Sequence, residues 1–423
     1  METTKYLVVG SSHAALEALT AIRMHDTEGS LTMLTRDAHL PYSPTVLPYV
    51  VSGRSAPDTV FLRDEKFFAR QKISLRRGTA LKALHPARNT AELADGSQIA
   101  YEKILLATGA SPAIPPIPGI DQVSYHVLRT LDDATRLNAA MKASKQAVVM
   151  GAGLVGMHAA ENLVKAGAKV TIVEMAKQLT DGYFDATAAA LIEKAFTDNG
   201  ATILTGSRVV KLAPSSAFAT PGATITLESG ATLEADLLLV ATGVRPNMDF
   251  LTGEGAAVER DKGILVGERM QTSVPNVFAA GDCAQAKSFY SEARVMNAIL
   301  PDAAEQGRIA GMAMAGDPGI KDYPGGIPVN TYHFFGRHAI SVGSSKVPEG
   351  GEVVTRFDEA SGRYLKVIFH EGRLTGIYGV NEFFDAGVMS QLILRRIDLT
   401  PVREHFLAEP MKTAREIMSR TWR

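Results

Sequence analysis

A single cysteine, Cys283, stands in a chain of 423 residues. One thiol closes no internal disulfide, completes no CxxC pair and builds no zinc or iron–sulfur cage. Tryptophan is as scarce, with Trp422 the one example, and the net charge is only -1, so no global basic field draws the chain to nucleic acid. No apolar run approaches the ~18 residues of a membrane span. A strand-like Tyr6-Leu7-Val8-Val9 comes so early that a signal peptide has no room before it, and a cytoplasmic protein is expected. Histidines such as His333, in Tyr332-His333-Phe334-Phe335, lack ligand spacing, and no metal site is expected. What is present is ordinary globular composition, 46% hydrophobic and 21% charged, at a length that suggests about three domains.

Two glycine-bearing strand–turn–helix patterns lie in this background. The first runs Tyr6-Leu7-Val8-Val9-Gly10-Ser11-Ser12-His13-Ala14-Ala15-Leu16-Glu17-Ala18. A dinucleotide fold needs a tight turn after the strand, close backbone approach to the pyrophosphate, and a small residue where helix meets strand. Gly10 supplies the turn, while Ser12 and Ala15 stand where the second and third glycines are usual. The motif is degraded, and an ordinary strand–turn–helix reads the same way. The second pattern, Ala147-Val148-Val149-Met150-Gly151-Ala152-Gly153-Leu154-Val155-Gly156, keeps all three glycines. After a helical stretch to Gly167, the run Lys169 to Val173 ends in Glu174, where a carboxylate accepts from both ribose hydroxyls. With Met175 and Ala176 following and no arginine there, Glu174 argues for NAD(H) over a 2′-phosphate, although Lys177 lies nearby. At the matching place in the first pattern, Ser30 to Leu34 ends in Thr35-Arg36-Asp37. The ribose contact falls to one of these three, and Arg36 joins the candidates.

Three more segments follow. Lys103 to Leu106 leads into Ala107-Thr108-Gly109, and Leu237 to Val240 leads into Ala241-Thr242-Gly243. The strand Asn276-Val277-Phe278-Ala279-Ala280 ends in Gly281-Asp282, whose carboxylate suits a sugar-alcohol hydroxyl. Cys283 next to it reads as a small buried residue.

In this order the motifs resemble the FAD-dependent pyridine nucleotide-disulfide oxidoreductase superfamily over nearly the whole chain. The resemblance implies an α/β fold with two Rossmann-like domains, the NAD domain inserted in a split FAD domain, and a small C-terminal α+β interface domain. For FAD it implies Gly10, Ser12, His13, Ala14, Ala15, Arg36, Ala107, Thr108, Gly109, Gly281, Asp282 and Leu300. Asp282 is implied at the ribityl chain. The helix opening at Leu300, Pro301 and Asp302 is implied to aim its N-terminus at the flavin pyrimidine, where it favours developing negative charge. Asp302 or Glu305 reads equally as a helix acid without flavin contact. For NAD(H) the implied set is Gly151, Gly153, Leu154, Val155, Gly156, Glu174, Thr242 and Gly243.

The departures from that superfamily narrow the chemistry. Where relatives similar to NADH oxidase and coenzyme A-disulfide reductase carry a redox cysteine, the loop Leu40-Pro41-Tyr42-Ser43-Pro44-Thr45-Val46-Leu47-Pro48-Tyr49 has Thr45. A hydroxyl forms no thiolate pair, sulfenate or mixed disulfide, so disulfide and peroxide reduction by a protein thiol are not expected. Tyr49 stands where ferredoxin and rubredoxin reductases bring a lysine to the flavin. Tyr42 and Tyr49 read as flavin-edge residues or as interface aromatics. His158 replaces a glutamate usual beside the nicotinamide and is read as positional, because the flavin itself accepts the hydride and no general base is needed. Glu161, a turn later, is expected at solvent or a domain interface. No residue is assigned a certain catalytic role.

The expected boundaries are 1–117 and 249–322 for the FAD domain, 118–248 for the NAD(H) domain and 323–423 for the interface and assembly domain. Prolines 112, 115, 116 and 118 mark the first crossing, and Pro246-Asn247 the second. Beyond 323, Arg363 to Phe369 reads as a strand, His370-Glu371-Gly372 as a hairpin turn, Leu374 to Val380 as its partner and Asp385 to Leu394 as a helix. The tail from Glu409, with Lys412, Arg415, Arg420 and Arg423 beside Ile417, Met418 and Trp422, fits a docking segment for an acidic partner or a solvated terminal helix.

The Ser-Ser-His-Ala-Ala-Leu-Glu-Ala start and the Leu-Pro-Tyr-Ser-Pro-Thr-Val-Leu-Pro-Tyr loop further resemble the FAD-containing epsilon subunits of NADH-dependent phenylglyoxylate dehydrogenases. That resemblance implies a multisubunit complex with an iron–sulfur electron-transfer subunit and thiamine-diphosphate-containing subunits. It implies that the complex forms benzoyl-CoA, CO2 and NADH, with this chain expected to pass electrons through FAD to NAD+. Two other readings stay open. One is a stand-alone NADH-dependent rubredoxin or ferredoxin reductase, or the flavin half of a nitrite-reductase-like system. The other is a non-catalytic flavoprotein for regulation or assembly, which the intact Gly151, Gly153, Gly156 and Glu174 disfavour.

Overall fold

The computed structural model describes residues 1–218 and 221–421, so Trp422 and Arg423 of the basic tail lie outside the described residues. The chain divides into two compact units. The first is built from Met1–Val46, Ser55–Ser111 and Val244–Gly326, and the second from Leu47–Arg54, Pro112–Gly243 and Ile327–Arg423.

In the first unit, near-continuous apolar runs make strands buried on both faces, the signature of a parallel sheet. Tyr6, Leu7, Val8 and Val9 are all buried, as is all of Leu31–Leu34. The strands lie side by side in the order Ile73–Arg76, Leu31–Leu34, Glu2–Val9, Gln98–Leu106 and Val277–Ala279, all parallel. An antiparallel pair, Leu81–His85 and Thr90–Leu93, extends from the first half of Gln98–Leu106. The chain leaves Glu2–Val9 toward one side of the sheet and returns to its other side at Gln98–Leu106. The crevice at the carboxyl ends of those two strands is therefore a topological switch point, where open α/β sheets bind ligands.

Two helices cover this crevice from one face of the sheet, His13–His25 and Leu300–Ala315. Gly307 and Gly311 lie one turn apart on the second helix, and a Cβ on either would come within 3.0 Å of the Ala14 or Ala18 backbone. Glycine costs a helix interior about 1 kcal/mol relative to alanine. The close approach needs it, and it draws the N-termini of both helices to the same end of the sheet.

The second unit holds a parallel sheet in the order Thr202–Leu204, Lys169–Val173, Gln146–Met150 and Leu237–Val240. Beside it stands an antiparallel sheet of Val209–Ser215, Gly222–Leu227 and Thr232–Ala235. Its C-terminal part is a five-stranded antiparallel sheet, Val329–Phe334, Arg337–Gly343, Arg373–Val380, Arg363–His370 and Glu352–Asp358 in spatial order. Glu371 and Gly372 make the tight turn there, both with positive φ (50° and 73°), as a two-residue hairpin of twisted strands requires. Asp385 caps the Ala386–Leu394 helix through the Val388 N–H. Glu161 is buried, and its carboxylate accepts from the Phe335 N–H (2.7 Å) and Lys165 Nζ (2.6 Å). It thereby fastens the nucleotide-fold segment of this unit to the C-terminal sheet. The short helix Leu47–Val51 is held here as well: Asn162 Nδ2 donates to the Pro48 carbonyl (3.2 Å) and Asn138 Nδ2 to that of Val51 (2.7 Å).

Candidate functional site

Each unit presents one glycine turn at the carboxyl end of a parallel strand. Gly10 takes φ +130°, and a Cβ there would overlap the Ala107 carbonyl, so only glycine lets the turn lie against the Ala107-Thr108-Gly109 strand end. The His13–His25 helix begins directly after it. Its N-cap Ser12 makes no side-chain cap, and its first turn holds no acid. First-turn amides without a capping side chain, set at a switch point, suit a phosphate.

The second unit repeats the arrangement with the full glycine set. Gly151 (φ +103°) abuts the Ala241 carbonyl, Gly156 abuts Gly151, and a Cβ on Gly153 would meet nothing within 4 Å. That open space in front of Gly153 is where a pyrophosphate needs room. The Leu154–Lys165 helix likewise has neither a side-chain cap nor a first-turn acid. Glu174 sits at the end of Lys169–Val173 with Oε2 accepting from the Ala152 N–H (2.7 Å) and Oε1 from that of Ala176 (2.8 Å). The carboxylate is thus locked beside the glycine turn. Two apolar side chains at this mouth stay open to solvent, Val155 at 49% and Met175 at 68% exposure. Leu154 is half-buried, Thr242 Oγ1 donates to the Ala113 carbonyl (2.7 Å), and Gly243 is exposed with its carbonyl held by the Ala113 N–H.

Around the first crevice, Ala14 and Ala15 are buried. Gly281 (φ +78°) lies where an added Cβ would touch the side chains of Ala14 and Ala303, so both helix N-termini and the Gly281-Asp282 turn converge. Leu300 opens its helix 37% exposed. Of the three ribose candidates, Thr35 is buried against Ser11 Oγ (3.0 Å), Asp37 accepts from Tyr42 OH (2.7 Å), and Arg36 is exposed with a bond to Ser111 Oγ (3.0 Å). Two residues here were missed by the sequence reading. Asn247 clasps the Thr108-Gly109 turn with three bonds: Nδ2 to the Thr108 carbonyl, N–H to that of Gly109, and its own carbonyl accepting from Thr108 Oγ1. Gln306 accepts the Gly281 N–H through Oε1 (2.9 Å). Asn247 was visible only as the residue after a domain-crossing proline, and Gln306 only as a member of the run Ala303 to Arg308, which resembles the family's usual sequence there.

The flavin-edge candidates divide between the units. Thr45 joins a hydrogen-bonded chain in the first: His13 Nε2 to Ser43 Oγ (2.8 Å), and Ser43 Oγ to Thr45 Oγ1 (2.7 Å). Burial pushes the His13 pKa down, which favours the neutral ring. Tyr49 belongs to the second unit, 45% exposed beneath the Arg54 guanidinium. His158 packs edge-on against Tyr332 at 4.7 Å, and burial lowers its pKa too. Cys283 is fully buried, burial raises its thiol pKa, and Sγ donates to the Leu106 carbonyl (3.2 Å).

The model of the pyridine nucleotide-disulphide oxidoreductase family matches residues 4–307. The chain belongs to that family. It is an FAD-dependent NAD(H) oxidoreductase without a redox-active disulfide, since it has one cysteine. Among curated proteins it is 72% identical over 424 residues to the NADH-dependent phenylglyoxylate dehydrogenase subunit epsilon of Aromatoleum evansii, covering 100% of this chain and 99% of that one. It is 27% identical to the rubredoxin-NAD(+) reductase of Pseudomonas putida, over 73% of this chain and 80% of that one. Among solved structures, the reductase fold of a covalent putidaredoxin reductase–putidaredoxin complex superposes with a TM-score of 0.86 at 25% identity, covering 99% of both chains. Among the described residues, no helix of this family member is long and apolar enough to cross a membrane.

Proposed function

We propose that this chain is the flavin subunit of a phenylglyoxylate dehydrogenase complex, taking electrons from an iron–sulfur partner and delivering them through FAD to NAD+. The end-to-end identity of 72% to an epsilon subunit carries the reading. Thr45, in place of a thiol, agrees with it, because electrons then have no cysteine on which to stop. The thiamine-diphosphate subunits of the same complex would decarboxylate the 2-oxo acid and form benzoyl-CoA, and the assembly would work in the cytoplasm.

The proposed roles of the residues are those that membership of the family implies. Gly10, Ser12, His13, Ala14 and Ala15 would cradle the FAD pyrophosphate, with Arg36 toward the adenosine end and Ala107, Thr108 and Gly109 forming the opposite wall. Gly281 and Asp282 would take the ribityl chain. Gly151, Gly153, Leu154, Val155 and Gly156 would hold the NAD(H) pyrophosphate, Glu174 its ribose, and Thr242 and Gly243 the far wall. Bound FAD would supply a centre that collects single electrons and exchanges a hydride with the nicotinamide. Tyr42, Thr45, Tyr49 and His158 would shape the surroundings of the two rings without moving protons. Residues 323–423 would serve assembly.

Anaerobic NADH should bleach the flavin absorbance of the purified chain, and native purification should bring iron–sulfur and thiamine-diphosphate subunits with it. A flavin that stays oxidised under NADH defeats the electron-transfer reading. A chain that purifies alone and rapidly reduces rubredoxin points to the stand-alone reductase instead.

A further inference from the structure

Asp302 is an unusual acid for its place. It lies in the first turn of the Leu300–Ala315 helix, where an ionised carboxylate is ordinarily favoured by the helix dipole. Yet it is only 8% exposed. Asn297 Nδ2 donates to its Oδ2, and the Tyr323 hydroxyl bonds it from the segment after the helix. Gly326 closes the site: a Cβ there would collide with Asp302, Asn297 and Tyr323 together. The charged group bearing on Asp302 is Glu305, one turn along the same helix and itself paired with Arg308 (2.6 Å). The titratable one is Tyr323, whose own pKa burial drives upward. Two neutral donors favour the ionised carboxyl and burial opposes it, with burial ahead, so that its pKa is pushed up to about 7.

The cluster connects to the crevice by hydrogen bonds. Gln306 donates through Nε2 to Tyr323 OH (3.3 Å) and accepts the Gly281 N–H through Oε1 (2.9 Å). Gly281 lies against Ala14 and Ala303, the first turns of both crevice helices. Asp302 is therefore a buried, protonatable group at the one helix N-terminus of this crevice that carries an acid.

We propose that Asp302 is a proton-linked tuning residue for the flavin: it takes a proton from solvent when the cofactor gains electrons and returns that proton when the electrons leave. The proposal rests on FAD binding in this crevice. Negative charge arriving there opposes an ionised Asp302 and tightens its hold on a proton, by roughly tenfold if the interaction equals one pKa unit. The proton and the electron pair then enter and leave together, and the helix N-terminus keeps its ability to stabilise negative charge.

The test is an optical redox titration of the FAD-loaded full-length chain between about pH 6 and 9, a range spanning neutral carboxyl and carboxylate at this site. The wild type should show a segment of steeper potential-versus-pH slope beginning near neutrality, and D302N should lack it. Above that segment the variant should hold about a tenfold higher ratio of reduced to oxidised flavin at the same applied potential. Infrared difference spectra should show a protonated-carboxyl band gained on reduction within that pH segment in the wild type and missing in D302N. Y323F retains the carboxyl but removes one donor to its ionised form, so it should move the steep segment to higher pH, and it carries the test if D302N does not fold. Parallel lines for wild type and D302N, or an unmoved segment in Y323F, overturn the assignment. A purified chain that takes up no FAD fails instead on the underlying reading, which the absorbance spectrum reveals before any titration.

Discussion

Glu174 accepts the Ala152 N–H at 2.7 Å, so the acid at the end of one strand holds the glycine turn at the end of its neighbour. The second carboxylate oxygen is held by Ala176. Hydrogen bonds to a charged group contribute about 1.5–3 kcal/mol each. E174A should therefore weaken NADH binding by one to two orders of magnitude while FAD stays bound. Titrating the bleaching of the flavin with NADH under anaerobic conditions measures this. An unchanged NADH affinity would remove Glu174 from the site.

Gly10 and Gly153 should respond differently to the same added methyl. At Gly10 a Cβ overlaps the Ala107 carbonyl at φ +130°, so G10A should lose FAD and several kcal/mol of stability through backbone strain and displacement. At Gly153 the methyl meets no protein atom. G153A should melt within about 1 °C of the wild type, consistent with a small stability change in a folded helix start, but bind NADH more weakly. Thermal melts, flavin content and NADH titration of the two variants decide it.

Cys283 should be chemically silent. It is fully buried, and burial raises its thiol pKa, so little thiolate forms near neutrality. A thiol-specific reagent should label the native chain slowly and the unfolded chain at once. C283A should retain reduction of the flavin by NADH, and loss of that step in a folded, FAD-loaded variant would contradict an electron path free of thiols.

Asp302 gives stability a pH dependence of opposite sign to that of a salt-bridged carboxylate. Its folded pKa, about 7, stands above the ordinary aspartate value of about 3.9, so between these values the folded chain binds more protons than the unfolded one. Stability is then fully present below the unfolded value and declines as pH rises to about 7, by up to roughly 4 kcal/mol from this group. D302N should flatten that decline relative to the wild type in denaturant melts across the same range. Identical slopes would place the carboxyl in an ordinary, solvated state.

Much of the fold was legible in the chain because its signals are local. Lys169–Val173, the Glu371-Gly372 turn and the Asp385-capped helix each declare themselves through period, turn chemistry or a capping residue within a few positions. Glu161 shows the limit. Its place on a helix was plain, but solvent and interface were equally open to it, and its burial depends on Phe335, 174 positions away.

The sequence by itself determined the chemistry that is absent and the order of what is present: a lone cysteine, a threonine in the loop, two glycine turns and an acid about 20 residues after the second. Those are properties of residue type and spacing. Only the tertiary structure decided which groups share an environment. It buried Asp302 beside Tyr323, gave Asn247 the Thr108-Gly109 turn to hold, and closed the chain from His13 through Ser43 to Thr45. Burial and hydrogen-bond partnership depend on what the rest of the chain brings near, and for these residues the partners come from distant segments.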